Sequence, residues 1–196
     1  MDEAPDPWTT LRSVEKYDNP WIRVVEHQVL NPARRPGIYG TIHYKHLAIG
    51  IVPIDAGGFT WLVGQYRYPL GRYSWEIPEG GGRLDLPPIE SARRELKEET
   101  GLTARGWCEI QRMNLSNSVS DEESIAFLAW DLEAGEAAPE DNEQLEVRRV
   151  PFAEAVAMVL AGAITDAISV AALLRVRLMA LEGDLPESLR PVLRAR

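Results

Sequence analysis

The sequence predicts an α/β domain built on a mixed sheet with helices on both faces, preceded by an N-terminal β segment. Three observations carry this expectation. His46 to Ile54 is a near-continuous apolar run, which suits a strand buried on both faces. A polar helix over roughly 87–100 separates that strand and its hairpin partner from two further strand candidates. Two helices close the chain, and the order of elements lacks the regular βαβ rhythm of a doubly wound sheet.

Taken in order, residues 1–45 form the appended β segment. Trp21 to Leu30 is β-branched and apolar, Asn31-Pro32 to Pro36-Gly37 is a turn, and Ile38 to Tyr44 returns as a second strand. The main domain covers 46–183. Its first strand, His46 to Ile54, turns at Asp55-Ala56-Gly57-Gly58 into Phe59 to Tyr66. Pro87 and Pro88 open the polar helix, where proline is tolerated, and Gly101 ends it. Gly106 to Met113, Ser124 to Trp130 and Leu145 to Val150 read as strands, and the acidic stretch Glu133 to Gln144 reads as a loop. The closing helices fall at about 152–161 and 166–181, with Gly162 ending the first and Thr165 capping the second. The tail, 184–196, is expected to dock loosely. No internal repeat is evident.

A chain of 196 residues has room for one sizeable core. Its 21 basic and 30 acidic residues give a net charge of −9, which argues against nonspecific nucleic-acid binding. Cys108 is the only cysteine, so no intrachain disulfide forms, and a reducing, cytoplasmic compartment fits. Beside Trp107, it reads as a buried structural thiol. The first twenty residues hold seven charged side chains and no apolar run, so no targeting segment is expected. Glu154, Gly162, Thr165 and Asp166 break the longest apolar region, so no membrane span is expected.

The most informative stretch is Gly80-Gly81-Gly82-Arg83-Leu84-Asp85-Leu86, followed seven residues later by Arg94-Glu95-Leu96-Lys97-Glu98-Glu99-Thr100-Gly101-Leu102. A glycine-rich turn precedes a helix on which Glu95 neighbours both Glu98 and Glu99, because residues three and four apart share a helix face. Leu96 points to the core and the glutamates point away. Like charges that close destabilise a helix by about 0.2–0.5 kcal/mol per pair, a penalty that a hard divalent cation removes. An acidic run by itself is usually a solvated helix face; the glycines, prolines and arginine around it change that reading.

This constellation resembles the Nudix hydrolase family, whose signature is G-x5-E-x7-R-E-U-x-E-E-x-G-U with U a bulky aliphatic residue. Gly80, Arg94, Glu95, Leu96, Glu98, Glu99, Gly101 and Leu102 fit at the right spacing, and Leu86 stands where the first glutamate belongs. In the family that glutamate braces the loop-helix-loop, often through the motif arginine. Glu90, four residues before Arg94, is expected to take over the bracing. The resemblance implies an α/β/α sandwich with a mixed sheet and a Mg²⁺ or Mn²⁺ cofactor. It assigns Glu95 and Glu99 as principal metal ligands, Glu98 as a ligand or holder of a metal-bound water, and Glu79 as a ligand through its backbone carbonyl.

The flanks narrow the resemblance. Gln65-Tyr66-Arg67 followed by Glu76-Ile77-Pro78-Glu79-Gly80 is similar to the ADP-ribose and nucleotide-sugar branch. That branch implies that Arg67 contacts substrate phosphate, a role that guanidinium geometry suits, and it places Glu76 in the substrate site. It also implies a catalytic glutamate on an acidic loop before the last helices, for which Glu140, Asp141 and Glu143 are the candidates beside Glu98. The alternative for Arg67 is a strand-end arginine paired with an acid. Trp21 is the candidate for stacking on the base, and a homodimer through the N-terminal segment is expected. His27, His43 and His46 do not form a ligand set, and hydrogen-bonding or core roles fit them better. Asn114 to Glu122 lacks the proline-glycine pair of stricter ADP-ribose members, which leaves room for sugar nucleotides.

The implied activity is divalent-ion-dependent hydrolysis of the diphosphate bond of ADP-ribose or a nucleoside diphosphate sugar, yielding a nucleoside monophosphate and a sugar phosphate. The competing expectations are a catalytically silent ligand-binding module, and a hydrolase of nucleoside triphosphates or dinucleoside polyphosphates. Retention of Glu95, Glu98 and Glu99 argues against the first. The Gln-Tyr-Arg motif and the appended segment argue against the second.

Overall fold

In the computed structural model, residues 5–136 and 144–193 are described, and they divide into two compact units. One comprises the chain up to His46 together with Asn114–Glu123; the other comprises Leu47–Met113 and the chain from Ser124 onward.

The first unit is an antiparallel meander of β1 (Thr9–Asp18), β2 (Ile22–Leu30) and β3 (Pro36–Tyr44). The Asn19 carboxamide makes the first turn by accepting from the backbone N–H groups of Trp21 and Ile22, at 2.8 and 2.7 Å. Strand β1 goes beyond the two strands expected for this segment. It is mostly exposed, so no alternation of apolar and polar residues reveals it. Two histidines tie the unit together by hydrogen bonds, as expected of them. His27 reaches Ser13 Oγ on β1 (2.8 Å) and Thr41 Oγ1 on β3 (2.9 Å). His43 meets Asp121 at 2.6 Å, and Asp121 also accepts from the Tyr44 N–H, so the 114–123 segment is held along β3.

The second unit contains, apart from the end residues His46, Asn114 and Glu123, β4 (His46–Pro53), β5 (Phe59–Arg67), β6 (Arg72–Glu76), β7 (Glu79–Arg83), α1 (Pro88–Thr100), β8 (Leu102–Asn114), β9 (Glu123–Ala134), β10 (Glu146–Pro151), α2 (Phe152–Leu160) and α3 (Ala167–Glu182). One sheet has the order β7-β4-β9-β8, with β4 and β9 parallel; a second has the order β10-β5-β6 and is antiparallel. The sheet structure is therefore mixed, as expected. Alternation along β4 sets which helix covers which face. Ile49 and Ile51 join Ile125, Phe127 and Leu102 in one core cluster with Ala92 and Leu96 of α1. The intervening residue, Gly50, faces the other way, and Ile168 of α3 lies so close that a Cβ there would sit 2.6 Å from its Cγ2. Helices thus cover both faces, and the near-continuous apolar character of β4 follows.

Three local expectations are corrected. Residues 79–83 are a strand rather than a glycine-rich turn, because they pair alongside β4. Asp166, not Thr165, caps α3, its carboxylate accepting from the Ser169 N–H at 2.8 Å. The tail does not dock loosely: Leu185, Leu189 and Leu193, four residues apart, are buried to 2, 3 and 7% exposure. Cys108 is half-buried, and burial pushes its thiol pKa up, which suits an unreactive thiol. Truncating Leu189 to alanine is expected to destabilise the protein by about 2–4 kcal/mol, read from urea denaturation midpoints; a change under ~0.5 kcal/mol would mean that the tail contributes little to the core.

Candidate active site

The site grows from the link between β6 and β7. Glu76 ends β6, Ile77 is fully buried, and the Ile77 N–H donates to Ser169 Oγ of α3 at 2.9 Å. The carbonyl of Pro78 accepts from the Ile51 N–H of β4 at 2.8 Å. Residues 76–80 are therefore clamped between the central strand and α3. The first glycine of β7 is dictated by what it faces. A Cβ on Gly80 would lie 2.2–2.5 Å from the carboxylate atoms of Glu95, so only a hydrogen fits.

Helix α1 supplies the acids. Glu99 is 3% exposed and its Oε2 accepts from the Glu79 N–H at 3.0 Å; Glu95 is 8% exposed against Gly80. These two glutamates are buried along β7 and do not point away from the protein. Glu98 goes elsewhere, to Arg94 Nη1 at 2.7 Å, and its side chain stays 31% exposed. Arg94 also donates from Nη2 to Glu95 Oε1 (2.5 Å) and to the Gly81 carbonyl (2.8 Å). It lies among acids that would otherwise repel one another, and although burial works against its charge, Glu95 and Glu98 raise its pKa. The structure does not bring the oxygens of Glu95, Glu98 and Glu99 into one converging trio among the described residues. Glu90 does not brace Arg94; it pairs with Arg93 at 2.8 Å, one turn along the same helix. The anchor of Arg94 is instead the Gly81 carbonyl. Leu86, at the position of the missing glutamate, is exposed.

Arg67 reaches the same site from the end of β5. Its Nε donates to both carboxylate oxygens of Glu76 at 3.0 Å, and its Nη2 to Glu76 Oε2 (2.5 Å) and Glu79 Oε1 (2.8 Å). Against the effect of burial, these acids push the guanidinium pKa further up, so it is always charged. Arg67 therefore has acidic partners and also keeps 34% of its side chain exposed. Glu76 is 2% exposed. The Glu79 side chain lies in the same cluster, and burial, then Asp166 and Glu76, push its carboxyl pKa well up despite Arg67.

Asp166 is the residue that sequence reasoning missed. One oxygen each from Glu76, Glu79 and Asp166 lie within 4.8 Å of one another. Its only local signal is that of a helix cap; its place beside Glu76 depends on the fold. Beside it, Thr165 Oγ1 accepts from Arg72 Nη2 at 3.2 Å. Trp21 sits at the start of β2 in the first unit and is 65% exposed. Glu140, Asp141 and Glu143 lie outside the described residues.

Buried oxygen donors beside a fixed guanidinium define a class of site suited to a hard divalent cation and an anionic ligand. The chain belongs to the NUDIX family: the NUDIX domain profile matches residues 44–173, and the nucleoside diphosphate sugar hydrolase N-terminal domain profile matches 8–42. It is 37% identical to an ADP-ribose pyrophosphatase of Mycobacterium tuberculosis over 134 residues, 66% of this chain and 64% of that protein. It is 34% identical to an ADP-ribose pyrophosphatase of Bacillus subtilis over 122 residues, 61% of this chain and 66% of that one. The matched region thus spans slightly less than two thirds of each relative's length. The crystal structure of an ADP compounds hydrolase superposes with a TM-score of 0.81 at 23% identity, covering 93% of this chain and 98% of that one, a likeness of fold.

Changing Gly80 to alanine is expected to displace the Glu95 carboxylate and weaken Mn²⁺ binding by about 10–100-fold while the thermal melt stays cooperative. Unchanged Mn²⁺ affinity in a folded G80A protein would remove Glu95 from the ligand set.

Proposed function

We propose that the chain hydrolyses the diphosphate bridge of ADP-ribose or a nucleoside diphosphate sugar, releasing a nucleoside monophosphate and a sugar phosphate, with Mg²⁺ or Mn²⁺ as cofactor. The observation that carries this reading is the burial of Glu95 and Glu99 against the backbone of residues 79 and 80, with Arg67 bonded to the Glu79 side chain. The named relatives support the substrate class.

Glu95 and Glu99 offer oxygen donors of the kind that Mg²⁺ and Mn²⁺ prefer, and the Glu79 carbonyl and Glu98 complete the proposed set. When bound, the ion supplies charge neutralisation of the diphosphate and a lower pKa for the attacking water. The protein's own groups do the rest. Arg67, held in a fixed orientation by Glu76, presents its exposed edge to a phosphate oxygen. A carboxylate takes the proton of the attacking water as its oxygen bonds to phosphorus and the bridging P–O bond breaks. Glu98 or one of Glu140, Asp141 and Glu143 fills that role. Trp21 offers an exposed indole face to a base.

The N-terminal sheet also exposes Leu11, Tyr17 and Ile38, which supports a homodimer through this segment. No helix among the described residues is long and apolar enough to cross a membrane, and the lone cysteine accords with a cytoplasmic setting.

A panel of nucleotides incubated with Mg²⁺, with products separated by ion-exchange chromatography, tests the reading. AMP and ribose 5-phosphate from ADP-ribose, or the analogous pair from a sugar nucleotide, are expected. Pyrophosphate released from a nucleoside triphosphate, with ADP-ribose and sugar nucleotides untouched, would overturn it. Glu99→Gln is expected to cut turnover at least about a hundredfold through loss of a ligand oxygen, with the fold intact by circular dichroism.

A further inference from the structure

Three carboxylates and one guanidinium share the space between β6, β7 and the start of α3. If Glu76, Glu79 and Asp166 are all ionised, Arg67 leaves the cluster two negative charges in excess. Glu76 is buried and Glu79 and Asp166 are partly buried, so an excess of charge there is costly unless a proton or a cation offsets it. Glu76 is satisfied by Arg67 through both oxygens. Asp166 spends one oxygen on the Ser169 N–H. Glu79 is different. Its Oε1 accepts from Arg67, but its Oε2 is shut off from solvent and meets no N–H or O–H donor. An oxygen of the Asp166 carboxylate lies within 4.8 Å of one of the Glu79 oxygens, and a carboxylate accepts and does not donate unless a proton is shared.

We propose that Glu76, Glu79 and Asp166 form a second divalent-cation site, built from the Glu79 side chain and separate from the site at Glu95 and Glu99. The geometry suits a small hard ion. Ligand oxygens around one ion at 2.0–2.6 Å stand about 3–5 Å apart, and the three candidate oxygens lie within 4.8 Å of one another. The donor set is all oxygen, which selects Mg²⁺, Mn²⁺ or Ca²⁺ over softer metals. The buried Oε2 gains the electrophilic partner it lacks. Because Arg67 Nη2 holds Glu79 and Glu76 together, an ion there draws on the same carboxylates that orient the arginine. The site does not depend on which substrate the enzyme takes.

The test counts Mn²⁺ by electron paramagnetic resonance on the full chain, without nucleotide. A protein carrying Glu95→Gln and Glu99→Gln isolates the new site and is expected to bind one Mn²⁺ per chain. Adding Glu79→Gln or Asp166→Asn to it is expected to weaken that binding by at least about tenfold. Asparagine caps a helix as well as aspartate does, so Asp166→Asn keeps the start of α3. Should the doubly substituted background fail to fold, Asp166→Asn and Glu79→Gln in the otherwise unchanged protein are each expected to bind one ion fewer than wild type. The inference is overturned if the Glu95/Glu99-substituted protein binds no Mn²⁺, or if Glu79→Gln and Asp166→Asn leave number and affinity unchanged. A proton shared by Glu79 and Asp166 would then supply the missing charge.

Discussion

The contact between β7 and α1 is the constraint on which the site depends. The Glu79 N–H bonds the Glu99 carboxylate, and the absence of a side chain on Gly80 leaves room for Glu95. Two carboxylates are thus buried where a helix alone would leave them in water. Burial of that kind is tolerated because each acid has a definite partner: the backbone N–H for Glu99 and Arg94 for Glu95. The carbonyl of Gly81 fixes Arg94 in turn, so strand and helix are cross-linked on both sides of the glycine run. Position 79 is held from a third direction by Pro78 against β4 and Ile77 against α3.

Electrostatics explains why the guanidiniums stand where they do. Arg94 separates Glu95 from Glu98, and Arg67 separates Glu76 from Glu79. Each lowers a like-charge repulsion that the spacing of the acids would otherwise impose. The sequence alone assigns relief of the α1 repulsion to a metal ion. The structure shows that Arg94 already contributes part of it. The two readings of Arg67, phosphate contact and partner of an acid, are also compatible. Bonds to Glu76 orient the fork, and the third of the side chain left exposed remains for an anion.

The Nudix signature was legible because its residues lie within one helix and the strand just before it, where spacing maps directly onto neighbours. The apolar run of β4 was legible because burial on both faces leaves a continuous pattern, and the paired closing helices because Gly162 breaks the apolar stretch between them. What escaped depended on distant pairing. Strand β1 is mostly exposed and is defined by its register with β2 alone. The buried tail leucines repeat at four-residue spacing, but proline and charged neighbours mask the period in so short a segment. Asp166 carries the local signature of a helix cap and reaches Glu79 only because α3 packs behind β4. The i,i+4 spacing points Glu90 at Arg94, yet the i,i+3 partner Arg93 takes it because Arg94 is drawn inward to Gly81.

The central claim is that Glu95 and Glu99 exist to hold a magnesium-like ion. Anomalous diffraction from crystals soaked in Mn²⁺ tests it most directly. A peak within coordination distance of a Glu95 oxygen and a Glu99 oxygen is the expected result, together with loss of phosphohydrolase turnover in chelator. Glutamates left without an ion at saturating Mn²⁺, with turnover unaffected by chelator, would contradict the account.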